Sequence, residues 1–382
     1  MADDVTIERP DLGPDHPVRE ALSQPYTLKR WGEDLRHLAD GVPTGFDALE
    51  AVRMHWLPGK LYGIAARPGG GKTAFLLEAC LRYLEAHPER HALFLSWEEP
   101  VAEVVLRLVL REDARRSTPN DGKAFSGKVI FRDTVRKFGR DPNALIETAH
   151  TERLSAAAAA LEPTLARLHV VDGDALGHDI RAVLEQVAAW MRDAGTPTLG
   201  LVAVDYFQKL RGPGDGRFFS RQAELQLVAD YLRRFAKGAR LAADGDTDAP
   251  DPAHAVPVLV GAQVTRGQGE HPSGDSIREA DDLLNDAAGV IALSWERTGG
   301  SEEDEERALR LSVPKNRDGR ARPDEVARIP WLPARGFLAA HALADASTGA
   351  VRWQRVETAP DAKAKAEKRT PGKIHGPASD VF

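Results

Sequence analysis

The run Lys60-Leu-Tyr-Gly-Ile-Ala-Ala66, followed by Arg67-Pro68-Gly69-Gly70-Gly71-Lys72-Thr73, decides the fold of this chain. A short apolar strand enters a glycine turn, and Thr73 to Leu84 continues as a helix. Successive glycines let backbone N–H groups turn inward around phosphate oxygens, where a Cβ would obstruct them. The helix that follows presents its positive end to the same anion. In such a loop Lys72 reaches the β and γ phosphates, and the Thr73 hydroxyl ligates magnesium. The pattern usually opens on glycine, and here Ala66 stands in that place. Ala66 through Thr73 are the candidate nucleotide-binding residues, with ATP and Mg2+ as expected ligands. The competing explanation is a chance glycine turn before a helix. Gly-Lys-Thr directly after a strand argues against it.

Outward from the loop, strand-like and helix-like segments alternate. His91 to Trp97 reads as a strand and Val101 to Arg111 as a helix. Leu168 to Val171 is a strand, and Ile180, Val183, Leu184, Val187 and Met191 mark one helical face. Leu199 to Val204 is an almost unbroken apolar strand, followed by the helical face Leu225, Val228, Leu232 and Phe235. Val258 to Ala262, Val290 to Leu293 and Ala308 to Val313 read as further strands. Strands without polar alternation, separated by amphipathic helices, indicate a parallel sheet covered on both faces. The fold class is therefore α/β, with a mostly parallel central sheet flanked by helices.

The remaining segments set the domain limits. Residues 1–25 read as a flexible arm, and Leu28, Trp31, Leu35 and Leu38 mark a short amphipathic helix within 26–40. Residues 41–355 form the expected domain, with a helical insertion at about 112–161 that contains the run Ala156 to Ala160. Residues 356–382 are rich in Lys, Ala, Pro and Gly and read as a disordered tail.

Composition narrows the class of function. The chain has 382 residues, 42% hydrophobic and 29% charged, which is ordinary for a soluble globular protein. No apolar run approaches the roughly 20 residues that span a bilayer, and the N-terminus lacks an export signal. Cys80 is the single cysteine, which excludes an internal disulfide framework and fits a reducing cytoplasm. The net charge of -7 is not that of a protein that coats nucleic acid electrostatically. A ring that threads nucleic acid needs only a local basic lining.

Four further signals surround the loop. Asp205 ends the buried run Leu201-Val-Ala-Val, which sets its carboxylate at the carboxyl edge of the sheet to hold the magnesium shell. Glu98 and Glu99 follow the strand ending in Ser96-Trp97, expected beside the phosphate-loop strand. A carboxylate there serves as base or water-positioning group for hydrolysis, or only favours a helix N-terminus. Gln263 ends the strand Val258 to Ala262, with Arg266 three residues on; a polar group at that edge senses the γ-phosphate. Lys315 and Arg317 follow the strand Ala308 to Val313, a solvated turn unless a phosphate lies opposite.

The ordered set resembles the C-terminal motor domain of DnaB-type replicative helicases, a RecA-like P-loop family. Pro43-Thr-Gly-Phe-Asp-Ala-Leu49 is similar to that family's entry motif, and Ala followed by Arg-Pro in its loop accounts for Ala66. Trp97-Glu98-Glu99-Pro100 matches its Leu-Glu-Met-Pro, which makes Glu98 the catalytic glutamate by resemblance. Asp205-Tyr-Phe-Gln208 resembles Asp-Tyr-Leu-Gln, and Gln263 with Arg266 fits Ser-Gln-Leu-Asn-Arg. Lys315-Asn-Arg317-Asp-Gly319 resembles Lys-Gln-Arg-Asn-Gly, whose arginine enters the neighbouring subunit's ATP site. The resemblance implies a homo-oligomeric ring, hexameric in that family, with the helix at Tyr26 to Leu38 docking on the next subunit.

Three departures qualify the match. The family's N-terminal primase-binding domain has no counterpart in the first 40 residues, and the insertion is long. The DNA-contacting loop reads Ile277-Arg278-Glu279-Ala280-Asp281-Asp282 in place of Leu-Arg-Glu-Ser-Gly. Added carboxylates weaken contact with a DNA backbone. Arg278 and Glu279 remain as candidate nucleic-acid residues, and Arg211, Arg217 and Arg221 offer a compensating pore lining or a solvated surface. The expected function is an ATP-driven DNA helicase moving on single-stranded DNA. The alternative is a RecA-like switch or loader in a mobile-element or phage-defence assembly, without unwinding.

Overall fold

In a computed structural model of the full chain, the residues described are 41–116, 151–192, 198–214, 218, 220–238, 254–264, 286–299, 306–332, 337–339, 342, 348 and 350–355. The expected N-terminal arm, the helix expected at Tyr26 to Leu38 and the expected C-terminal tail lie outside them, as do residues 117–150 of the expected insertion.

A small pair of strands, β1 (Val42–Pro43) and β2 (His55–Trp56), brackets the one-turn helix α1 (Asp47–Glu50). The phosphate-loop strand β3 (Leu61–Ala66) is buried along its whole length. Its side chains divide between two cores: Tyr62, Ile64 and Ala66 face one, Leu61 and Ala65 the other. That two-sided burial explains the unbroken apolar run in the sequence. Helix α2 (Lys72–Ala86) follows, then β4 (His91–Ser96), α3 (Val101–Arg116), α4 (Thr151–Leu165) and β5 (Leu168–Asp172). Next come α5 (Gly173–Leu176), α6 (Ile180–Arg192), β6 (Leu199–Asp205), a 3-10 turn (Phe207–Lys209), α7 (Arg221–Ala236) and β7 (Val258–Gln263). The chain closes with β8 (Gly289–Gly299), β9 (Glu306–Asn316), β10 (Arg322–Leu332), β11 (Phe337–Leu338) and β12 (Trp353–Arg355).

The main sheet runs in the order β11-β10-β9-β8-β3-β7-β6-β4-β5, with β12 also on β10. From β8 to β5 the strands are parallel, and β9 to β12 extend the sheet as antiparallel hairpins. Helices α2, α3 and α4 contribute to the core on one face, α6 and α7 to the core on the other.

The strand order corrects one expectation. Strand β4, which carries Glu98 beyond its end, is not beside β3: β7 and β6 lie between them. The glutamate still reaches the loop, because all four strands end at one edge and α2 crosses that face over β3, β7, β6 and β4.

At the start of the stretch expected as an insertion, polar residues are buried. Helix α3 continues past Arg111 to Arg116, and Glu112 and Asp113 are buried. Their charges are met by Arg111, Arg115 and Arg153, the last from α4. Paired charges can be buried where lone ones cannot.

Candidate nucleotide site

The loop leaves β3 after Ala66, whose neighbours in register are Gln263 on β7 and Leu293 on β8. Gly70 donates to the Arg67 carbonyl at 2.8 Å, closing the turn. A Cβ on Gly70 would stand 2.8 Å from that same oxygen and 2.9 Å from Ala66 Cβ, so no larger residue fits. Gly71 takes φ 92° and starts α2 without a capping side chain, leaving the first-turn N–H donors available to an anion.

Lys72 opens that helix and is only 5% exposed. Its Nζ lies 3.8 Å from Glu98 Oε2 and 5.3 Å from the centre of the Tyr206 ring. The Thr73 hydroxyl donates to Asp205 Oδ2 at 2.5 Å. Asp205 is fully buried at the end of β6. Burial pushes its carboxyl up to about 6; the Thr73 hydrogen bond and the Lys72 charge pull the other way, and Glu98 and Glu99 add to the rise. Asp205 Oδ1 has no hydrogen-bond partner among the described residues. Gly261 keeps the space beside it open, since a Cβ there would stand 3.1 Å from that oxygen. A bare buried carboxylate oxygen next to a hydroxyl suits magnesium, which takes few protein ligands and completes its shell with water and phosphate.

Glu98 and Glu99 have opposite surroundings. The Trp97 N–H donates to the Asp205 carbonyl at 2.8 Å, tying the end of β4 to that of β6. The Ser96 hydroxyl then donates to the Glu99 carbonyl at 2.6 Å and accepts from the Glu99 N–H at 3.1 Å. The Glu99 carboxylate turns to α3, where Arg107 Nε and Nη2 each donate to one of its oxygens at 2.6 Å. Glu98 is left facing Lys72.

Gln263 is held by a residue that sequence reasoning quoted without assigning a role. The Gln208 side-chain amide accepts from the Gln263 N–H at 3.0 Å and donates to the Gln263 carbonyl at 2.7 Å. Gln208 appeared only within a motif; Ser96 and Arg107 carried no sequence signal, since their roles depend on a turn and on a helix packed against it.

Lys315 and Arg317 sit elsewhere. Through β8, Asn316 is level with Gly289 and so with Tyr62, at the amino end of β3. The phosphate loop leaves the other end, four residues on, about 13 Å away at ~3.3 Å per residue. Arg317 is exposed there. The Lys315 ammonium is depressed by burial first and by Arg317 second, with Asp286 opposing. These two cations are not brought to their own chain's loop.

Among the nucleic-acid candidates, Arg211 pairs with Glu224 at 3.6 Å and has a side chain 59% exposed. Arg221 is engaged within its own chain: it pairs with Glu224 and donates to the Gln208 and Leu210 carbonyls, each at 2.8 Å. Arg217, Arg266, Arg278 and Glu279 lie outside the described residues.

Residues 41–128 match the family model "DnaB-like helicase C terminal domain". Over those residues the chain is similar to that domain. It is 30% identical over 255 residues to a replicative DNA helicase DnaB of Rhodothermus marinus, covering 66% of this chain and 23% of that protein. It is 23% identical over 293 residues to the DnaB of Mycoplasma genitalium, covering 74% and 53%. The Bacillus subtilis replicative helicase DnaC is 23% identical over 306 residues, with 79% and 58% covered. The chain thus spans about half the length, or less, of these relatives. In structure it is similar to a solved ATPase domain, with a TM-score of 0.56, 18% identity, and coverage of 85% of this chain and 99% of that one. A DnaB-like replicative helicase studied with primase gives 0.54, 19%, 84% and 66%. These likenesses establish a RecA-like fold. Among the described residues no helix is long and apolar enough to cross a membrane.

Proposed function

We propose that this chain is an ATP-hydrolysing ring motor of the DnaB type that moves on single-stranded DNA in the cytoplasm. The reading takes residues 41–355 as the motor domain. The observation that carries it is the convergence on one loop of a buried Lys72, a Thr73–Asp205 pair at 2.5 Å and Glu98 at 3.8 Å from Lys72. In this reading the loop amides and Lys72 bind the β and γ phosphates, where their charges also meet the charge that develops during transfer. Thr73 and Asp205 would hold Mg2+, which supplies further neutralisation of the phosphate charge. Glu98 orients the attacking water and takes its proton, helped by its separation from Glu99. Gln263, fixed through its backbone by Gln208, senses the γ-phosphate.

Arg317, with Lys315 beside it, serves the neighbouring subunit. Its distance from its own loop supports that role, and the similarity to replicative DNA helicases supports DNA as the track. The hexamer, Arg278 and Glu279 as DNA contacts, and a lesser contribution from Arg211 and Arg217 belong to the same proposal.

The test is ATP turnover with and without single-stranded DNA at stated salt, in wild type, Lys72→Ala and Glu98→Gln. Turnover is expected to rise with DNA and to fall by at least about a hundredfold in both variants, the scale of removing a group that acts at the transferring phosphoryl. Wild-type turnover in either variant would remove the catalytic assignment. Absence of both DNA binding and stimulation at low salt would remove the motor.

A further inference from the structure

Two adjacent carboxylates at the end of β4 lie close to the phosphate site, and only one faces it. Glu98 has a side chain 41% exposed and is directed at Lys72; that of Glu99 is 16% exposed and directed at α3. Three contacts turn Glu99 away: both backbone bonds to Ser96 and the two-point bond to Arg107. A fork that meets both carboxylate oxygens fixes direction as well as charge.

We infer that Arg107 is a positioning residue that withholds Glu99 from the phosphate site, so that of this pair Glu98 alone faces Lys72. This rests on the reading of Glu98 as the catalytic group. Without the guanidinium, Glu99 regains its rotamers and its full charge one residue from Glu98. It then competes for the Lys72 ammonium and repels the incoming triphosphate. Both effects act on the geometry at the reacting phosphate, where small misplacements carry large rate penalties.

The experiment measures kcat and KM for Mg-ATP in Arg107→Ala, Arg107→Lys, Glu99→Gln and Arg107→Ala/Glu99→Gln, with urea midpoints alongside. Arg107→Ala is expected to lower kcat about tenfold, Arg107→Lys less, because lysine keeps the charge and loses the fork. The double variant should recover most of the Glu99→Gln rate, since there is then no second carboxylate to withhold. A structural anchor gives the opposite pattern: both Arg107→Ala chains slow, with no recovery on neutralising Glu99. That result, or an Arg107→Ala rate equal to wild type, overturns the inference. Glu98→Gln run in parallel separates the two claims, because its retained activity would sink the Glu98 assignment whatever Arg107 does.

Discussion

At the scale of the residue, Asp205 carries a cost to stability. Its carboxylate is fully buried, and one oxygen has no hydrogen-bond partner among the described residues. An acid whose folded value is raised binds protons more tightly folded than unfolded, so it costs stability once ionised. The cost is absent below about pH 4, grows as the pH rises towards about 6, and is complete above that. Asparagine keeps an acceptor for the Thr73 hydroxyl and carries no charge. Asp205→Asn should therefore stabilise the protein in EDTA at pH 8 by about 2–3 kcal/mol, from a rise of roughly two units at 1.36 kcal/mol each. The gap should close below about pH 4, while hydrolysis is lost. Urea midpoints of the two proteins across pH measure it; parallel profiles would refute the account.

At the scale of the element, a buried ionic cluster joins the phosphate-loop helix α2 to α3. Arg111 on α3 meets Glu78 on α2 at 2.7 Å and Glu112 at 3.4 Å, all three nearly inaccessible. Removing one partner strands the others in the interior. Arg111→Met should cost about 3 kcal/mol, the lower end for breaking a buried pair, since Arg82 and Arg115 still attend the two glutamates. Adding Glu78→Gln and Glu112→Gln should return most of it, and chemical denaturation of the three proteins decides.

The same cluster shows where sequence reading stops. Buried strands were legible from their unbroken apolar runs, and the loop from its glycines. Nothing in the polar stretch around Glu112 and Asp113 signals burial, and the partner of Asp113, Arg153, comes from another helix. Strand order was illegible as well: nothing local to His91–Ser96 says that two strands separate it from β3. Strand β10 escaped notice because an edge-side strand containing Pro323 and Pro330 has no apolar run to declare it. Choosing Glu98 over Glu99 needed a resemblance in the sequence, whereas in three dimensions Ser96 and Arg107 supply a physical reason.

At the scale of the whole molecule, the proposed ring makes a quantitative forecast. In randomly mixed rings of Lys72→Ala and Arg317→Ala chains at equal amounts, a site works only where an Arg317→Ala chain receives its neighbour's arginine from a Lys72→Ala chain. Each condition holds for half the positions, so about a quarter of the wild-type turnover should return if the sites act independently in a head-to-tail ring. Either variant alone should stay inactive. No recovery in rings confirmed to be mixed would refute service across the interface.

Arg317 and the phosphate loop stand at opposite ends of the strands of one sheet. If the arginine serves a neighbour, each subunit has a giving edge and a receiving edge, and the two differ in chemistry. A two-fold pair would have to bring both edges of both copies into a single contact. An open row leaves one loop at its receiving end unserved and one arginine at the other end idle. Closing the row on itself gives every loop an arginine, which makes the number of idle sites a direct count of the breaks in the ring.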